Sequence, residues 1–313
     1  MNKFYMMIGF PGSGKSTYAE KLSKEEDAII CSSDALRKEL YGSEAVQEHN
    51  EEIFNILMQR VIKYLSEDKS VIYDAMNISS KYRRNTLKML SRFNCEKIAY
   101  IIATPYEMCL DRNSIRDRHV PEHVIKKALM NFNVPSINEG FTRITTVYPD
   151  GFEFKSYIDI LDKCFSVPHD NPHHSESIGR HMELAESCLL DRYEKQLALM
   201  NTDDRDLIEY ATLLHDIGKP FTKVFKNFKG EDVTIAHYYN HENVGAYEVL
   251  LTNIPENLKL DVSLLIQYHM KFYNAWKQSN SALEKDKKFL GDRIFNLLEI
   301  LHDCDISASF PVV

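Results

Sequence analysis

The stretch Gly9-Phe10-Pro11-Gly12-Ser13-Gly14-Lys15-Ser16-Thr17 decides how the first half of this 313-residue chain is interpreted. Its spacing is G-x-x-x-x-G-K-[S/T], and it lies between an apolar run and a helical pattern. Glycines let the backbone wrap around phosphates, and N–H groups at a helix start face them. Lys15 can reach the β- and γ-phosphates, and Ser16 can ligate magnesium. This context argues against a chance glycine turn, so we predict nucleotide binding by Gly9, Gly12, Ser13, Gly14, Lys15, Ser16 and Thr17.

The rest of the first half alternates short apolar runs with helical patterns. Strands are predicted at Phe4–Phe10, Ala28–Ser32, Ser70–Asp74, Lys97–Thr104 and Thr142–Tyr148. Helices are predicted between them, for example at Gln47–Leu65 and Lys81–Phe93. Strand–helix alternation favours a parallel sheet with helices on both faces, so we predict an α/β domain.

The pattern changes from about Phe165, where the loop Val167-Pro168-His169-Asp170-Asn171-Pro172 precedes long helical stretches. These stretches are Ser177–Leu190, Asp204–Asp216, Asn243–Thr252, Val262–His269 and Asp292–Asp303. Few strand signals remain, so the second half is predicted to be all-α. The predicted divisions are 1–150 for the α/β domain, 151–167 for a linker and 168–313 for the all-α domain.

Composition narrows the class of protein. Hydrophobic residues make up 44% of the chain, enough for two cores at roughly 100–200 residues per domain. No apolar run reaches the ~18 residues of a membrane span, so no membrane partner is expected. The apolar N-terminal stretch runs directly into the glycine loop, which argues against a signal peptide. The six cysteines form no C-x-x-C pair, so we expect reduced thiols and a cytoplasmic protein.

Charge is distributed unevenly between the two halves. Residues 1–150 carry 21 Lys+Arg against 20 Asp+Glu, a balance of +1. Residues 151–313 carry 17 against 26, a balance of −9. The acidic half is a poor non-specific binder of a phosphate backbone. Any nucleic acid there has to be held locally, by a few arginines or by metal ions.

Two acidic residues end predicted strands near the phosphate-binding loop. Asp34 follows the second strand, where a carboxylate faces the γ-phosphate and can accept the proton of an attacking hydroxyl. Arg37, one helical turn on, can hold an anion on the acceptor; the alternative is an N-cap serine followed by an ordinary salt bridge. Asp74 ends the third strand and can orient magnesium or its water. Asn77 can contact the acceptor or cap the next helix.

The segment Arg112-Asn113-x-x-Arg116-x-Arg118 places two arginines four residues apart. On a helix, residues 112 and 116 share one face, where they can clamp phosphates and neutralise charge in the transition state. A solvated charged face is the alternative interpretation.

Together these motifs resemble the polynucleotide 5′-kinase family over roughly residues 4–148. The matching series is G-x-P-G-S-G-K-S-T, S-x-D-x-x-R, D-x-x-N and R-N-x-x-R-x-R-x-V-P-E-x-V-I, and Pro135-x-x-x-Glu139-Gly140-Phe141 resembles the end of that domain. The resemblance implies transfer of the ATP γ-phosphate to a 5′-hydroxyl of RNA or DNA. It makes Asp34 the general base, with ATP and magnesium at Lys15 and Ser16. It also implies that Arg37 binds the acceptor's phosphate and that Arg116 contacts the transferring phosphate from a lid. Related small-molecule kinases share the loop and the lid.

The second half is rich in histidine: of twelve histidines in the chain, only His49 precedes residue 119. Imidazoles and carboxylates on helices that face one core are the ligands of a borderline divalent metal, and a carboxylate beside a histidine can bridge two ions. A single histidine would more often be a satisfied core group. Several on an acidic, helical half favour a metal site.

The order H…HD…H…H…D resembles the HD-domain metal phosphohydrolases over roughly residues 168–310. The matching residues are His181, His215, Asp216, His241, His269 and Asp305. The stretch H-D-I-G-K-P…H-x-x-x-H-E-x-V-G-A resembles HD modules attached to tRNA-processing nucleotidyltransferases. The resemblance implies that His181, His215, Asp216 and Asp305 hold one metal, that His241 and His269 hold a second, and that Asp216 bridges.

Three further assignments in this half concern single residues. The same resemblance makes Lys219 a group that meets the substrate phosphate. Asp305 is preferred to Asp303 as the last ligand because it shares a helix face with Leu298 and Leu301. His174 is an outer-sphere group or a loop residue.

The combination resembles bacterial HD-domain polynucleotide kinases of RNA repair, although there the HD module is expected first. We therefore predict an end-healing enzyme that phosphorylates 5′-hydroxyl ends of RNA or DNA and removes 2′/3′ or 2′,3′-cyclic terminal phosphates. One or two divalent transition metals are expected in the second half. The alternatives are a nucleoside or nucleotide kinase fused to a mononucleotide phosphohydrolase, and an ATP-gated binding module. The sequence does not determine the oligomeric state.

Overall fold

The computed structural model describes residues 1–116, 118–172 and 175–309. His174, which the sequence left open, lies outside these described residues. Contacts divide the chain into two compact units. Unit 1 comprises Met1–Leu129 and Pro135–Phe152, and unit 2 comprises Met130–Val134 and Glu153–Val313.

Unit 1 is an α/β unit, as predicted. Its strands are β1 (Lys3–Ile8), β2 (Ile29–Ser32), β3 (Val71–Asp74), β4 (Glu96–Ile102) and β5 (Arg143–Val147). Its helices are α1 (Lys15–Glu26), α2 (Ser33–Tyr41), α3 (Asn50–Ser66), α4 (Ser80–Met89), α5 (Tyr106–Ser114) and α6 (Glu122–Met130). A 3₁₀ helix, Ile137–Glu139, precedes β5.

The five strands form one fully parallel sheet in the order β2-β3-β1-β4-β5. Tyr5 and Met7 on β1 have no exposed surface and pack in one cluster with Ala19 and Leu22 of α1. Helix α1 is therefore fixed against the central strand by apolar burial on its inner face. Because all strands run the same way, their carboxyl ends meet at one edge, where the phosphate-binding loop and Asp74 lie.

Unit 2 is mostly helical. Its helices are α7 (Tyr157–Phe165), α8 (Ile178–Arg192), α9 (Glu194–Leu199), α10 (Thr202–Leu214), α11 (Lys219–Thr222), α12 (His241–Leu250), α13 (Glu256–Tyr268), α14 (Ala275–Gln278) and α15 (Asn280–Ser307). The segment 151–167, predicted as a linker, thus contains a helix, and α7 packs on α8. A second 3₁₀ helix, His269–Lys271, follows α13.

The prediction of an all-α second half was wrong in one place. Strands β6 (Lys223–Lys226) and β7 (Asp232–Tyr238) form an antiparallel hairpin with a register irregularity between Val224 and Lys226. The alternation of apolar and polar residues in this stretch is short and is interrupted by three lysines, so the sequence gave no clear strand signal. The hairpin connects two helices of the unit: α11 leads directly into β6, and α12 begins soon after β7 ends.

Element ends differ from the predictions by a few residues. The largest difference is α13, predicted from Val262, which begins at Glu256. In α15 the backbone of Gly291 is not helical (φ 78°, ψ 158°), so a second helical segment starts at Asp292, the predicted start. Glycine adopts this positive φ without steric cost. Within the described ranges, no helix combines the length and apolar character that crossing a bilayer requires. All six cysteines are free thiols.

Candidate functional site

The phosphate-binding loop of unit 1 requires glycine at two positions for different reasons. Gly12 (φ 82°) leaves no room for a side chain, because a Cβ there would lie 2.3 Å from the Cys109 backbone oxygen. Gly14 (φ 94°) is left-handed and forms the N-cap of α1. The loop is therefore packed directly against the start of α5 and then turns into the helix.

Hydrogen bonds orient the peptide groups of the loop. The Ser13 carbonyl accepts from Thr104 Oγ1 at 2.8 Å and from the Arg112 guanidinium at 3.3 Å. Because the C=O and N–H of a trans peptide point in opposite directions, the Gly14 N–H is turned away from these donors. The Lys15 ammonium donates to the Phe10 carbonyl at 2.7 Å, which keeps it inside the loop. Burial lowers the pKa of Lys15, and the carboxylates of Asp74 and Asp34 oppose this shift.

Ser16 and Asp74 lie in contact at the edge of the sheet. The Ser16 hydroxyl donates to the Asp74 carboxylate at 2.9 Å, and Asp74 is buried at the end of β3. An oxygen pair of this kind fits the preference of Mg²⁺ for hydroxyl and carboxylate ligands. Thr17, the last residue of the motif, is exposed on the first turn of α1.

Asp34 lies on the first turn of α2 with its side chain 47% exposed. Its Oδ1 accepts from Arg37 at 2.9 Å and lies 3.2 Å from an Arg118 nitrogen. Arg37 is buried and also donates to the Asn50 side chain at 2.7 Å, while its Nε has no hydrogen-bond partner. Two arginines thus hold a carboxylate that stays open to solvent.

The segment that carries the basic motif is only partly helical, so one prediction was wrong. Helix α5 ends at Ser114, and Arg116 follows it in a turn rather than sharing a helix face with Arg112. The Asn113 side chain donates to the Val120 carbonyl at 2.8 Å and accepts from the Val120 N–H at 3.0 Å. Sequence reasoning missed this role for Asn113. Arg116 is exposed, and its charge helps to lower the pKa of Lys15.

Asn77 is held by the sheet instead of capping a helix. Its backbone is left-handed (φ 50°), and its side-chain NH₂ donates to the Met7 carbonyl at 2.8 Å and the Ala75 carbonyl at 3.2 Å. Helix α4 has Ser79 at its N-cap, which excludes the capping interpretation. The Asn77 carbonyl accepts from Arg83, whose guanidinium forms a fully buried bidentate pair with Glu139 at 2.8 and 2.6 Å. That pair gives the Pro135–Phe141 motif a structural role.

In unit 2 the six predicted metal ligands converge although they come from different elements. Two groups have ligand atoms within 4.8 Å of one another, and all members of both groups are buried. One group is His181, His215 and Asp305; the other is Asp216, His241 and His269.

The hydrogen bonds of the four imidazoles define which ring nitrogen is protonated. Each Nδ1 lies 2.6–3.3 Å from a backbone carbonyl, which can only accept, so each Nδ1 carries a proton. In a neutral ring the Nε2 is then an unprotonated acceptor. The Nε2 atoms of His181 and His215 lie 3.2 Å apart, and those of His241 and His269 lie 3.3 Å apart. Two lone pairs at this distance repel unless a cation lies beside both, so this donor set fits divalent metal ions.

Asp216 lies between the two groups. Its Oδ2 is 3.4 Å from His215 Nε2 and 3.5 Å from His181 Nε2, and its Oδ1 is 3.1 Å from His241 Nε2 and 3.7 Å from His269 Nε2. One oxygen faces each histidine pair, which is the geometry of a bridging carboxylate. The other carboxylate, Asp305, has Oδ1 3.0 Å from His181 Nε2.

Electrostatics favour the ionised carboxylates despite their burial. Burial raises the pKa of Asp216, but Lys219 and His215 hold it well below its usual range. Burial lowers the pKa of His215, yet the carboxylates of Asp216 and Asp305 raise it to about 10. A divalent ion held by the same atoms would displace that proton, because metal binding competes with protonation of the ligands.

Lys219 and His169 form a pair beside the metal ligands. The Lys219 ammonium lies 2.5 Å from Asp216 Oδ2 and 3.2 Å from His169 Nε2. His169 Nδ1 donates to the Glu176 carbonyl at 2.9 Å, so its Nε2 accepts from Lys219. Burial and the Lys219 charge lower the pKa of His169 to about 4. Sequence reasoning placed His169 only in a loop, and its position before a proline-rich turn gave no signal of this contact.

The two aspartates near the end of α15 have separate surroundings. Asp305 is buried and accepts from the Tyr273 hydroxyl at 3.1 Å as well as facing His181. Asp303 is partly exposed. Its carboxylate accepts hydrogen bonds from Arg192, the last residue of α8, and from the hydroxyl of Tyr193, which follows α8. The geometry therefore favours Asp305 as the ligand and leaves Asp303 as a surface ion pair.

Comparison with known families assigns both units. The sequence model of the AAA domain family matches residues 4–135, and that of the HD domain family matches residues 175–305. The chain joins a P-loop kinase domain to an HD hydrolase domain. A kinase domain implies ATP and a divalent cation, and an HD domain implies a metal, which the two buried ligand groups can hold.

Curated relatives include proteins of very different length. The chain is 24% identical over 240 residues to an L-seryl-tRNA(Sec) kinase of Methanococcus maripaludis, which covers 72% of this chain and 91% of that protein. It is 28% identical over 155 residues to the transcription factor bHLH140 of Arabidopsis thaliana, covering 46% of this chain but only 16% of that protein.

Two solved structures that are similar to this chain each cover less than half of it. One is a chain of the Pnkp1/Rnl/Hen1 RNA repair complex, with 23% identity and a TM-score of 0.39 over 42% of this chain and 43% of that chain. Another is a gluconokinase from Sinorhizobium meliloti, with 16% identity and a TM-score of 0.34 over 47% of this chain and 82% of that chain.

Proposed function

We propose that this kinase–HD fusion heals nucleic-acid ends. The kinase domain transfers the γ-phosphate of ATP to a 5′-hydroxyl of RNA or DNA. The HD domain removes a 2′- or 3′-phosphate, or opens and removes a 2′,3′-cyclic phosphate. The two reactions together convert the ends left by many strand breaks into 5′-phosphate and 3′-hydroxyl ends, which a ligase requires.

The observation that carries the kinase assignment is the position of Asp34 between Arg37 and Arg118, within electrostatic range of Lys15. In the proposed step the acceptor hydroxyl oxygen bonds to the γ-phosphorus as the bond to the β-phosphate oxygen breaks. The hydroxyl proton passes to the Asp34 carboxylate, and ADP leaves. Lys15, Arg112 and Arg116 offset charge on the phosphates. Magnesium, held by Ser16 and Asp74, supplies further charge neutralisation when bound.

A polynucleotide acceptor is supported by the basic groups beside Asp34. Arg37 lies one helical turn from the proposed base, and an Arg118 nitrogen lies 3.2 Å from the same carboxylate oxygen. Guanidinium groups beside the proposed base suit an anionic acceptor, such as a hydroxyl followed by a phosphodiester, better than a neutral sugar. For Asn77 we propose only a supporting role, because both its side-chain donor contacts are to backbone carbonyls.

In the HD domain, divalent ions supply the Lewis acidity that activates water and polarises a phosphate ester when they are bound. We assign one ion to His181, His215 and Asp305 and the second to His241 and His269, with Asp216 facing both. Lys219 holds a positive charge beside Asp216, where it can pair with an oxygen of the terminal phosphate. His169 keeps that ammonium in place.

The name of the Methanococcus relative supports an RNA-linked acceptor and also provides an alternative. A kinase of L-seryl-tRNA(Sec) phosphorylates a hydroxyl that is carried by an RNA, and the alignment covers most of that protein. A seryl-tRNA is therefore the first competing acceptor to test. Free nucleosides and nucleotides are the second.

The decisive experiment offers each acceptor separately. We expect label transfer from [γ-³²P]ATP to a 5′-hydroxyl oligonucleotide, and phosphate release from a 5′-phosphorylated oligonucleotide with a 3′-phosphate. Labelling of seryl-tRNA alone, or of nucleosides alone, contradicts the end-healing proposal and identifies the competing acceptor.

Two substitutions separate the active sites. Asp34→Ala is expected to lower labelling about 100- to 10,000-fold, the usual contribution of a general base, while phosphate release is unchanged. Asp216→Ala is expected to do the reverse. Glu39→Ala is the matched control for Asp34, because Glu39 is an exposed carboxylate on the same helix that pairs with Arg60. Loss of both activities in either variant would contradict independent sites.

A further inference from the structure

The β6–β7 hairpin is joined at both ends to groups of the HD site. Helix α11, which begins with Lys219, leads into β6, and His241 begins α12 shortly after β7. Tyr238 at the end of β7 donates its hydroxyl to the His169 carbonyl, and its own carbonyl accepts from His241 Nδ1 at 2.8 Å. The Lys219 ammonium lies 5.5 Å from the centre of the Tyr238 ring. The hairpin is therefore a direct extension of the metal site.

The hairpin exposes aromatic rings that folding does not account for. Phe228 in its turn is 92% exposed, and Phe225 and Ile235 are also exposed. The Phe228 ring contacts Tyr239 edge-on at 5.7 Å, and Tyr239 stacks on His237 at 5.3 Å with 7° between the planes. Three rings thus form a continuous cluster that begins one residue away from Tyr238.

The turn that carries Phe228 is internally hydrogen-bonded. The Asn227 side chain accepts from the Lys229 and Glu231 N–H groups at 2.9 and 3.0 Å, and the Asn227 N–H donates to the Glu231 carbonyl at 2.9 Å. Gly230 provides the left-handed residue (φ 83°) that this turn needs. A ring presented on such a turn loses little conformational freedom when a ligand stacks on it.

The local charge matches an anionic partner although the surrounding half of the chain is acidic. Residues 223–239 contain Lys223, Lys226 and Lys229 against Glu231 and Asp232, a balance of +1, whereas residues 151–313 have a balance of −9. Lys223 pairs with Asp170 at 2.7 Å, while Lys226 lies 3.8 Å from Asp232 in an exposed contact. Lys229, next to Phe228 in the turn, and Lys226, whose ion pair with Asp232 is exposed, therefore place positive charge near the ring cluster.

We propose that this hairpin binds the nucleotides next to the 3′ end of a single-stranded nucleic acid whose terminal phosphate lies in the HD site. Bases stack on the Phe228–Tyr239–His237 cluster, and Lys226 and Lys229 contact the backbone. Exposed rings beside cations are the arrangement by which proteins hold single strands without reading sequence. This inference rests on the proposed phosphohydrolase function and adds the reason why that site selects polynucleotides over mononucleotides.

The strand geometry makes the proposal specific. His237 and Tyr238 are consecutive in β7, so their side chains point to opposite faces of the hairpin. Tyr238 lies towards Lys219, and the ring cluster lies on the other face. A nucleic acid has to pass the edge of the hairpin to reach the rings, which a mononucleotide cannot do.

The test compares Phe228→Ala with Leu199→Ala, a control that removes an equally exposed apolar side chain (88%) from α9 of the same unit. The substrates are a single-stranded oligonucleotide of ten residues with 5′- and 3′-phosphates, the same oligonucleotide in a blunt duplex, and a nucleoside 3′-monophosphate. Binding of the fluorescent single strand is measured in parallel by anisotropy, without turnover.

For Phe228→Ala we expect KM for the single strand and its Kd to rise about 5- to 150-fold, the range for loss of one base–aromatic stack. Hydrolysis of the mononucleotide is expected to be unchanged, and Leu199→Ala is expected to behave as wild type. Combining Phe228→Ala with Lys229→Ala should also weaken the salt dependence of Kd.

Each other outcome overturns the inference. Unchanged KM and Kd for the single strand, or equal effects on single strand and mononucleotide, exclude stacking on the hairpin. A changed sedimentation coefficient with unchanged nucleic-acid binding assigns the rings to a protein interface instead. Wild-type protein that releases no phosphate from any of these substrates refutes the proposed function itself, whereas the anisotropy measurement still reports on the hairpin.

Discussion

The two sites differ in how far their reactive groups are removed from water. In the kinase domain the Asp34 side chain is 47% exposed, and Ser16 and Arg116 are also exposed. In the HD domain the side chains of His181 and Asp216 are only 1% and 2% exposed. The reactive groups of the first site are therefore solvated and accessible to substrates. The second has to be held together by its own ligands and by the ions they bind.

The sites also differ in how their charges are balanced. Asp34 is paired with two arginines, so the charge of this carboxylate is compensated by protein groups. The HD site instead brings two pairs of Nε2 atoms within 3.2–3.3 Å, and each pair needs a proton or a metal beside it; without metal, His215 can hold such a proton, because nearby carboxylates raise its pKa to about 10. This difference teaches that removal of metal should affect the fold of the HD domain much more than the fold of the kinase domain.

The largest expected effect tests which carboxylate completes the HD site. Asp305→Asn should lower metal affinity by at least about 10- to 100-fold, because it removes the charge that faces His181 and His215. Metal content after dialysis, measured by mass spectrometry, reports the loss. Asp303→Asn is the matched control two residues away and should retain metal. Equal losses in both variants would show that the helix, rather than the ligand, was disturbed.

A smaller effect is expected from an uncharged residue that positions the charged groups of the kinase site. Asn113→Ala removes both hydrogen bonds to Val120 and should release the turn that carries Arg116 and Arg118. Because small misplacement of groups at a reacting centre is costly, we expect kcat/KM for labelling to fall about 10-fold. Ser114→Ala, at the next position, serves as control. Wild-type kinetics in Asn113→Ala would mean that this turn is held by other contacts.

The smallest effect is a pH dependence that belongs to the HD domain. His169 has a pKa lowered to about 4, against about 6.5 in the unfolded chain, so the unfolded state binds more protons between these values. The stability contributed by neutral His169 is complete above pH 6.5 and is lost as the pH falls towards 4. Between pH 7.5 and 5.5, wild type should lose about 1 kcal/mol more unfolding free energy than His169→Gln. Urea unfolding at both pH values measures this, and identical pH slopes would contradict it.

Much of the kinase domain could be predicted because its signals are local. The phosphate-binding loop is nine consecutive residues, and Asp34 and Asp74 each follow an apolar run. Strands of a parallel sheet all end at the same edge, so the sequence already predicts these residues at the same edge as the loop. The helix face shared by Arg112 and Arg116 was a wrong extrapolation, because α5 ends at Ser114 and the Asn113 clamp shapes the turn after it.

By itself, the sequence determined the α/β and helical halves, the nucleotide loop and the types of residue that can bind metal. Residue spacing sufficed there because a helix or strand fixes neighbours within a few residues. The sequence favoured Asp305 over Asp303 and, by resemblance, a bridging Asp216, but only the tertiary structure showed how closely these groups approach one another and that His169 supports Lys219. These groups are separated by up to 136 positions (from 169 to 305), and their distances depend on how whole helices pack against one another. The exposed hairpin likewise depends on the pairing of β6 with β7, which the sequence pattern did not predict.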